Sequence, residues 1–147
     1  MKMCLITLII LASFNAFTAD KIGIGPMVGN PTGLNAKYWQ NSERAIDMAV
    51  AFNLDDSAGL SLHSDYLWHW FDTLYFKDTY PLDLYSGLGG RMKFSDAIQI
   101  GARIPVGVLY RQKDSSDFFI EAAPVLDFIG RSGIDLHLVF GARYYFW

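Results

Sequence analysis

Apolar and polar residues alternate along most of the chain after residue 20. In the last fourteen residues, every second position from Ile134 to Phe146 is apolar or aromatic, whereas the positions between them include Asp135, His137 and Arg143. A period of two is the pattern of a β-strand that has one apolar and one polar face. The pattern therefore predicts strands, and no segment shows the period of an amphipathic helix.

Eight alternating segments are separated by turn-forming residues. The predicted strands are 21–29, 34–40, 44–53, 59–71, 81–94, 97–110, 118–129 and 134–147. Most connections are short turns rich in Gly, Pro, Asn, Asp and Ser, and longer polar loops are predicted at 72–80 and 111–117. Strands joined in this way pair with their neighbours in antiparallel fashion, and such a meander closes readily into an up-and-down barrel. The predicted fold is an all-β, eight-stranded antiparallel barrel.

The first 19 residues have the organisation of a secretory signal peptide. Lys2 is followed by an apolar run from Met3 to Phe14 and then by small and polar residues. Cleavage is predicted after Ala19, with cleavage after Thr18 as the alternative. The run is too short to span a membrane comfortably. The chain therefore divides into a signal peptide (1–19) and one β-barrel domain (20–147).

Charge and composition narrow the classes of function. Cys4, the single cysteine, lies in the signal peptide, so the mature chain would contain no disulfide. Removing Lys2 from the 12 basic residues leaves 11 against 15 acidic ones, a net charge of −4 that argues against nucleic acid as a partner. The chain is 52% hydrophobic, yet no apolar run beyond the signal peptide approaches 18 residues, so no transmembrane helix is predicted.

The two faces of the predicted strands differ in bulk and in charge. The apolar face carries Leu, Ile, Phe, Met, Tyr and Trp at nearly every position, which is more than an eight-stranded interior holds together with a ligand. The polar face carries nearly balanced charges and several glycines that leave room for long side chains. We therefore predict a transmembrane barrel with an apolar exterior and a luminal charge network. The predicted network comprises Lys37, Asp47, Asp65, Asp83, Arg91, Lys93, Arg103, Glu121, Asp127, Asp135 and Arg143.

Aromatic residues near the strand ends fit the same interpretation, since such residues lie where lipid meets water. They are Tyr38, Trp68, Trp70, Tyr110, Tyr144 and Phe146. The predicted location is the outer membrane of a diderm bacterium. With both chain ends in the periplasm, the predicted loops 72–80 and 111–117 would be periplasmic too, although such barrels usually carry their long loops outside.

The final strand and three short sequences carry a resemblance to a known family. The strand ends on alternating apolar and aromatic residues, and "NPTGLNAKYW", "LHSDYLWH" and "GLGGRMKF" are similar to sequences in short, uncharacterised bacterial barrel proteins, including spirochaete members. The architecture resembles the small outer-membrane barrels of the OmpA/OmpX type. The resemblance implies fold and location but no active site. It also implies an assembly signal at Phe140, Tyr144, Phe146 and Trp147, with Trp147 out of phase.

One group of polar residues is a candidate for chemistry. His63, Asp65 and His69 share a strand face, and His137 lies on the polar face of the last strand. A metal site or an imidazole base oriented by a carboxylate would need such residues. The alternative is that they are luminal residues within the charge network, and this is the interpretation we favour. No metal and no cofactor are predicted.

The predicted function is therefore structural or surface-interacting, and not enzymatic. We expect outer-membrane lipid to surround the barrel. We expect the barrel assembly machinery and periplasmic chaperones to be its partners during biogenesis. Two alternatives stay open at this point. The first is a barrel enzyme that modifies outer-membrane lipid through the histidines, and the second is a soluble periplasmic barrel that binds an apolar ligand.

Overall fold

The computed structural model describes residues 22–53, 59–112 and 115–146. The predicted signal peptide, the predicted turn at 54–57 and Trp147 lie outside these described residues. Within them, no helix is long and apolar enough to cross a membrane.

The described residues form nine strands rather than the predicted eight. They are β1 (Ile22–Asn30), β2 (Thr32–Trp39), β3 (Arg44–Asn53), β4 (Gly59–Phe76), β5 (Tyr80–Phe94), β6 (Ile98–Arg103), β7 (Val106–Gln112), β8 (Ser116–Ile129) and β9 (Gly133–Phe146). Apart from the ends of β4 and β5 within residues 72–80, the strands lie in segments of alternating apolar and polar residues, whose side chains the pleat places on opposite faces.

The additional strand comes from a break in the segment predicted over 97–110. β6 ends before Ile104 and β7 begins after Pro105, because proline has no N–H to donate to a strand ladder. The break is local, since the Ile104 N–H donates to the Pro124 carbonyl (3.1 Å) and the Gly87 N–H donates to the Pro105 carbonyl (3.0 Å). Both β6 and β7 pair with β5 on one side and β8 on the other, so they share one position in the sheet.

Antiparallel pairing joins the strands into a closed ring. Neighbouring strands pair along the chain, and β1 also pairs with β9, which brings Ile22 opposite Phe146. Both described ends therefore lie at one edge of the sheet, called here the terminal edge. Because strand direction alternates, the connections after β2, β4 and β7 lie at this edge as well. Closure satisfies backbone hydrogen bonds without leaving an open sheet edge over most of each strand.

The two predicted polar loops are largely strand. β4 continues to Phe76 and β5 starts at Tyr80, so the loop predicted at 72–80 is a hairpin with a short turn. Aromatic residues favour extended backbone, which explains this correction. The loop predicted at 111–117 is shorter as well, because β7 reaches Gln112 and β8 begins at Ser116.

Every buried residue in the described chain has an odd number. The pairing registers explain this regularity, since Lys37 lies opposite Asp47 and Asp47 lies opposite Asp65. The turns thus keep the same alternation in register from one strand to the next. A shift of one residue in the register would exchange the two faces of a strand. Odd-numbered side chains point into the closed sheet and even-numbered side chains point outward.

The outward face is almost entirely apolar. Leu138, in the middle of β9, is 56% exposed, and exposed large apolar residues occur on every strand. Among even-numbered residues of the described strands, only Arg44 and Asp72 are charged, and each lies near the terminal edge. The sheet therefore presents a continuous apolar surface to its surroundings.

Close packing inside the sheet gives a first testable prediction. A Cβ atom at Gly141 would come within 2.4 Å of the buried Phe119 ring, whereas one at Gly133, also on β9, would meet nothing within 4 Å. We expect Gly141→Ala to lower the free energy of unfolding by about 1–3 kcal/mol, as overpacking does. Gly133→Ala is the control and should stay within about 0.5 kcal/mol of the parent. Denaturant unfolding in micelles measures both, and equal effects would contradict a packed interior.

Candidate functional site

The interior of the closed sheet contains a dense set of charged side chains. Ten of the eleven residues of the predicted network are buried, and the exception is Asp135, whose side chain is 34% exposed. Asp117 is also buried, although it was assigned to a loop. The described interior thus holds six buried acids and five buried bases, and this near balance is what allows so many charges to be enclosed.

Arg103 lies at the centre of the largest cluster. Its guanidinium contacts Glu121 through Nη2 and Asp65 through Nε (2.9 Å to Oδ2). Nη1 donates to His63 Nδ1 at 3.1 Å. The Tyr85 hydroxyl donates to the other Glu121 oxygen at 2.9 Å. One cation from β6 therefore connects β4 with β8.

Arg91 forms the neighbouring part of this cluster. It pairs with Asp127 through Nη2 and with Asp135 through Nη1 (3.1 Å). His137 lies between the two arginines, with Nε2 at 2.8 Å from Arg91 and Nδ1 at 3.1 Å from Arg103. A neutral imidazole has one acceptor nitrogen, so only one of these contacts is a hydrogen bond at a time. His137 thus separates two cations that would otherwise face each other.

Arg143 organises a second cluster nearer the terminal edge. Its Nε donates to Asp117 at 2.8 Å, and its Nη1 donates to Asn35 Oδ1 at 2.8 Å. Asn35 in turn donates to Asp47 at 2.7 Å. The Tyr145 hydroxyl donates to Asp117 at 2.6 Å. This cluster crosses from β9 to β8 on one side and to β2 and β3 on the other.

Lys37 and His69 form a separate pair at the same end. Lys37 Nζ lies 2.7 Å from His69 Nε2, and His69 Nδ1 lies 3.3 Å from the Glu43 carbonyl. These contacts fit a neutral ring that donates from Nδ1 and accepts at Nε2. The ammonium also lies over the Trp39 and Tyr85 rings, 4.6 and 5.0 Å from their centroids. Aromatic faces and an imidazole thus solvate this buried cation.

The structure brings two of the three strand histidines to one arginine and places the third elsewhere. The Nδ1 atoms of His63 and His137 each lie 3.1 Å from Arg103 Nη1, whereas His69 belongs to the separate lysine–histidine pair. The distance from His63 Nε2 to Asp65 Oδ2 is 4.0 Å, too long for a hydrogen bond. In the described part of the chain, no three His, Cys, Asp or Glu side chains are arranged to hold a metal ion.

Three of the four predicted assembly residues point outward. Phe140, Tyr144 and Phe146 are even-numbered and exposed on the last strand, and the Tyr144 and Phe146 rings meet edge to face. Trp147 lies outside the described residues.

Several residues that contact the charged interior were missed from sequence. Asp117, Asn35, Tyr145 and Arg111 all take part in its contacts, and Arg111 pairs with Asp83 at 2.7 Å. Their odd numbers could have identified them from sequence, because these residues continue the alternation of the neighbouring interior positions. Two of them, Asp117 and Arg111, were overlooked because the predicted loop at 111–117 interrupted that phase.

Comparison with known proteins bears on the fold. No protein-family model matches the chain, and no curated protein matches it in sequence. Among solved structures, it is similar to the N-terminal β-barrel domain of Pseudomonas aeruginosa OprF, with a TM-score of 0.65 and 12% sequence identity. The match covers 86% of this chain and 98% of that domain. The chain has a β-barrel fold.

This likeness supports the predicted OmpA-type barrel at the level of architecture. At 12% identity it carries the fold alone. The predicted closeness to short bacterial barrel proteins, including spirochaete members, stays a prediction. The odd-numbered residues can now be described as luminal and the even-numbered residues as the barrel exterior.

Proposed function

We propose that the chain is an integral outer-membrane protein whose barrel has eight strand positions, one of them shared by β6 and β7. The apolar exterior carries this proposal. Exposed side chains such as Val28, Ile120 and Leu138 would face water in a soluble protein, and monomeric soluble proteins rarely expose contiguous apolar patches of more than a few hundred Å². In hydrocarbon the same surface is fully compatible with its surroundings, and a closed sheet leaves few backbone groups unpaired.

The charged interior supports the same orientation. A soluble barrel that binds an apolar ligand would need an apolar interior, whereas this one holds Arg91, Arg103 and Arg143 with their carboxylate partners. An unpaired ion buried away from water costs several kcal/mol, so the pairs have to be matched as they are here. We therefore favour the membrane barrel over the soluble alternative.

The role we propose is structural or surface-interacting rather than that of a channel. An eight-stranded barrel is just wide enough for its side chains to fill. Arg103, Lys37 and Tyr85 are among the largest fully buried side chains of this one. The network would rigidify the barrel and obstruct its lumen.

The contacts of the histidines favour a non-enzymatic role. A general base needs a free acceptor nitrogen within reach of its substrate. The acceptor nitrogen of His63 is engaged by Arg103, and that of His69 by Lys37. Both rings are also enclosed, away from the lipid that an outer-membrane enzyme would act on.

Export and assembly complete the proposal. Residues 1–19 would direct the chain across the inner membrane of a diderm bacterium. Phe140, Tyr144, Phe146 and Trp147 would serve as the signal for the barrel assembly machinery, after delivery by periplasmic chaperones. The first three of these side chains point outward and are exposed along the last strand, where a binding partner can reach them, and this supports the role.

Fractionation and gel migration test the proposed function. We expect the protein in the outer-membrane fraction of a diderm host, extracted only with detergent. Unheated samples should migrate faster than boiled ones, because a closed barrel resists unfolding by detergent. A soluble periplasmic protein from the same cells is the fractionation control. Recovery in the soluble periplasm without detergent would contradict the proposal.

A further inference from the structure

The hairpin at the end of β4 and β5, residues 72–82, has a different pairing from the rest of the barrel. β3 pairs with β4 only as far as Trp68, and β7 pairs with β5 only as far as Asp83. Past these positions the two strands pair with each other alone, through Leu74 opposite Leu82 and Phe76 opposite Tyr80. This segment, called here the terminal hairpin, is thus a two-stranded ribbon without a strand partner on either side in the described chain.

The direction of the terminal hairpin is set by the barrel. A bulge after Trp70 includes Asp72, whose φ is 49°. The Asp72 N–H donates to the buried carboxylate of Asp83 (3.0 Å), and Asp83 also pairs with Arg111. At the tip, Lys77 and Asp78 have φ values of 51° and 54°, as in the tight turns that suit the twist of paired strands. The ribbon is therefore held at its base and closed at its tip.

The outer face of the terminal hairpin is apolar and exposed, whereas the opposite face alternates threonine with Tyr75 and Pro81. The exposed fractions are 45% for Leu74, 58% for Tyr75, 57% for Phe76 and 47% for Tyr80. An isolated two-stranded ribbon is at best marginally stable in water, and exposed apolar edge strands tend to aggregate. This surface therefore needs a covering phase outside the protein.

The outer face of the terminal hairpin continues the barrel exterior. Trp70, Leu74 and Phe76 share the even phase of the outward residues, and the Tyr80 ring meets Tyr110 of β7 edge to face. Phe76, Tyr80, Leu82 and Tyr110 line an outward apolar cleft of about 270 Å³. Apart from Asp72 on β4, the apolar surface thus extends from the barrel wall onto the ribbon.

The reach and polarity of the terminal hairpin match the boundary between acyl chains and headgroups. The four steps from Leu84 to Tyr80 add about 13 Å along the strand, or about 10 Å along the membrane normal at the usual tilt. The interfacial layer on each side of a bilayer is about 5–8 Å thick. Tyrosine, with an apolar ring and a polar hydroxyl, is enriched in this layer. The charged tip at Lys77 and Asp78 would reach its aqueous side.

We propose that the terminal hairpin is an anchor that lies in the lipid interface of the leaflet at the terminal edge, an inference that rests on the membrane-barrel proposal. Lipid fits better than a second copy of the chain, because the exposed outer face of the ribbon shares the apolar character and the phase of the barrel exterior, whereas pairing with another strand would cover only one edge. The interface also supplies water for the unpaired backbone groups of the ribbon. The anchor would fix the depth and tilt of the barrel from its periplasmic end.

Site-specific fluorescence quenching tests the anchor. Cys4 is the single cysteine, so Cys4→Ser gives a background for Phe76→Cys, Asp78→Cys and Leu138→Cys. Each variant carries bimane and is refolded into phosphatidylcholine–phosphatidylglycerol vesicles with bromines near the headgroup or near the acyl-chain ends. We expect bromines near the headgroup to quench the label at 76 roughly twofold more strongly than the label at 78. Bromines near the chain ends should quench the label at 138.

The outcomes separate the two proposals. If the label at 76 is quenched no more than that at 78, and aqueous iodide reaches both equally, the anchor proposal is wrong. Quenching of the label at 138 would still support the membrane-barrel proposal in that case. If the label at 138 is not quenched by bromines at either depth, the membrane barrel itself fails. A disulfide dimer of unlabelled Phe76→Cys, together with weak quenching at 76, would identify a second copy as the occupant and overturn the anchor.

Discussion

Replacing Arg103 with Met is expected to lower the free energy of unfolding by about 3–5 kcal/mol, the range for breaking a buried ion pair by removing one partner. The guanidinium contacts Asp65, Glu121 and His63, and all three are buried. Without it, two enclosed carboxylates would lose the cation that contacts them. The methionine side chain retains much of the volume of the arginine, so the loss of stability reports the removed charge rather than a cavity.

Equilibrium unfolding in phosphatidylcholine vesicles, followed by tryptophan fluorescence, measures this effect. Arg131→Met is the matched control, because Arg131 is exposed in the connection between β8 and β9 and its loss should cost less than about 0.5 kcal/mol. Adding Glu121→Gln to Arg103→Met should recover part of the stability, since one stranded charge is then removed. A loss below about 1 kcal/mol for Arg103→Met would mean that water screens the interior pairs.

Replacing Leu138 with Arg is expected to destabilise the barrel by about 2–4 kcal/mol, the cost of an arginine on the lipid face at mid-membrane. Leu138 lies near the middle of β9 and points outward with 56% of its surface exposed. On the surface of a soluble protein, the same substitution would change stability by about 0.5 kcal/mol at most. The size of the effect therefore distinguishes hydrocarbon from water around the exterior.

Ile134→Arg is the control for depth. Ile134 has the same phase on the same strand and is 82% exposed, but it lies one residue from the start of β9. Near the membrane boundary the expected cost falls to about 0–1 kcal/mol. Unfolding of both variants in vesicles gives the comparison, and equal costs at 134 and 138 would contradict a membrane that spans the middle of the strand.

Much of the architecture was predictable, because the alternation of apolar and polar side chains along a strand is visible in the sequence. The phase of β9 could be read from Asp135, His137 and Arg143, and the bounds of β3 agree with the predicted segment 44–53. The location of most charged residues on one face followed from the same period of two. The count of strands did not, since the effect of Pro105 depends on the hydrogen bonds that its neighbours keep with β5 and β8.

The terminal hairpin could not be predicted from the sequence. Residues 72–80 combine polar and aromatic side chains without clear alternation, so their composition suggested a loop. Their strand pairing depends on the bulge at Asp72 and on its hydrogen bond to Asp83, eleven residues away. A contact of this kind is decided by the register of the folded hairpin and not by local preference.

By itself, the order of residues determined that the chain forms strands, that apolar and charged side chains lie on opposite faces, and that no helix was to be expected. Only the tertiary structure decided which charges meet, because the partners of Arg103 and Arg143 come from strands far apart in sequence and are brought together by closure of the sheet. Alternation is a property of neighbouring residues along one strand. Pairing across the lumen depends on the register and curvature of the whole barrel.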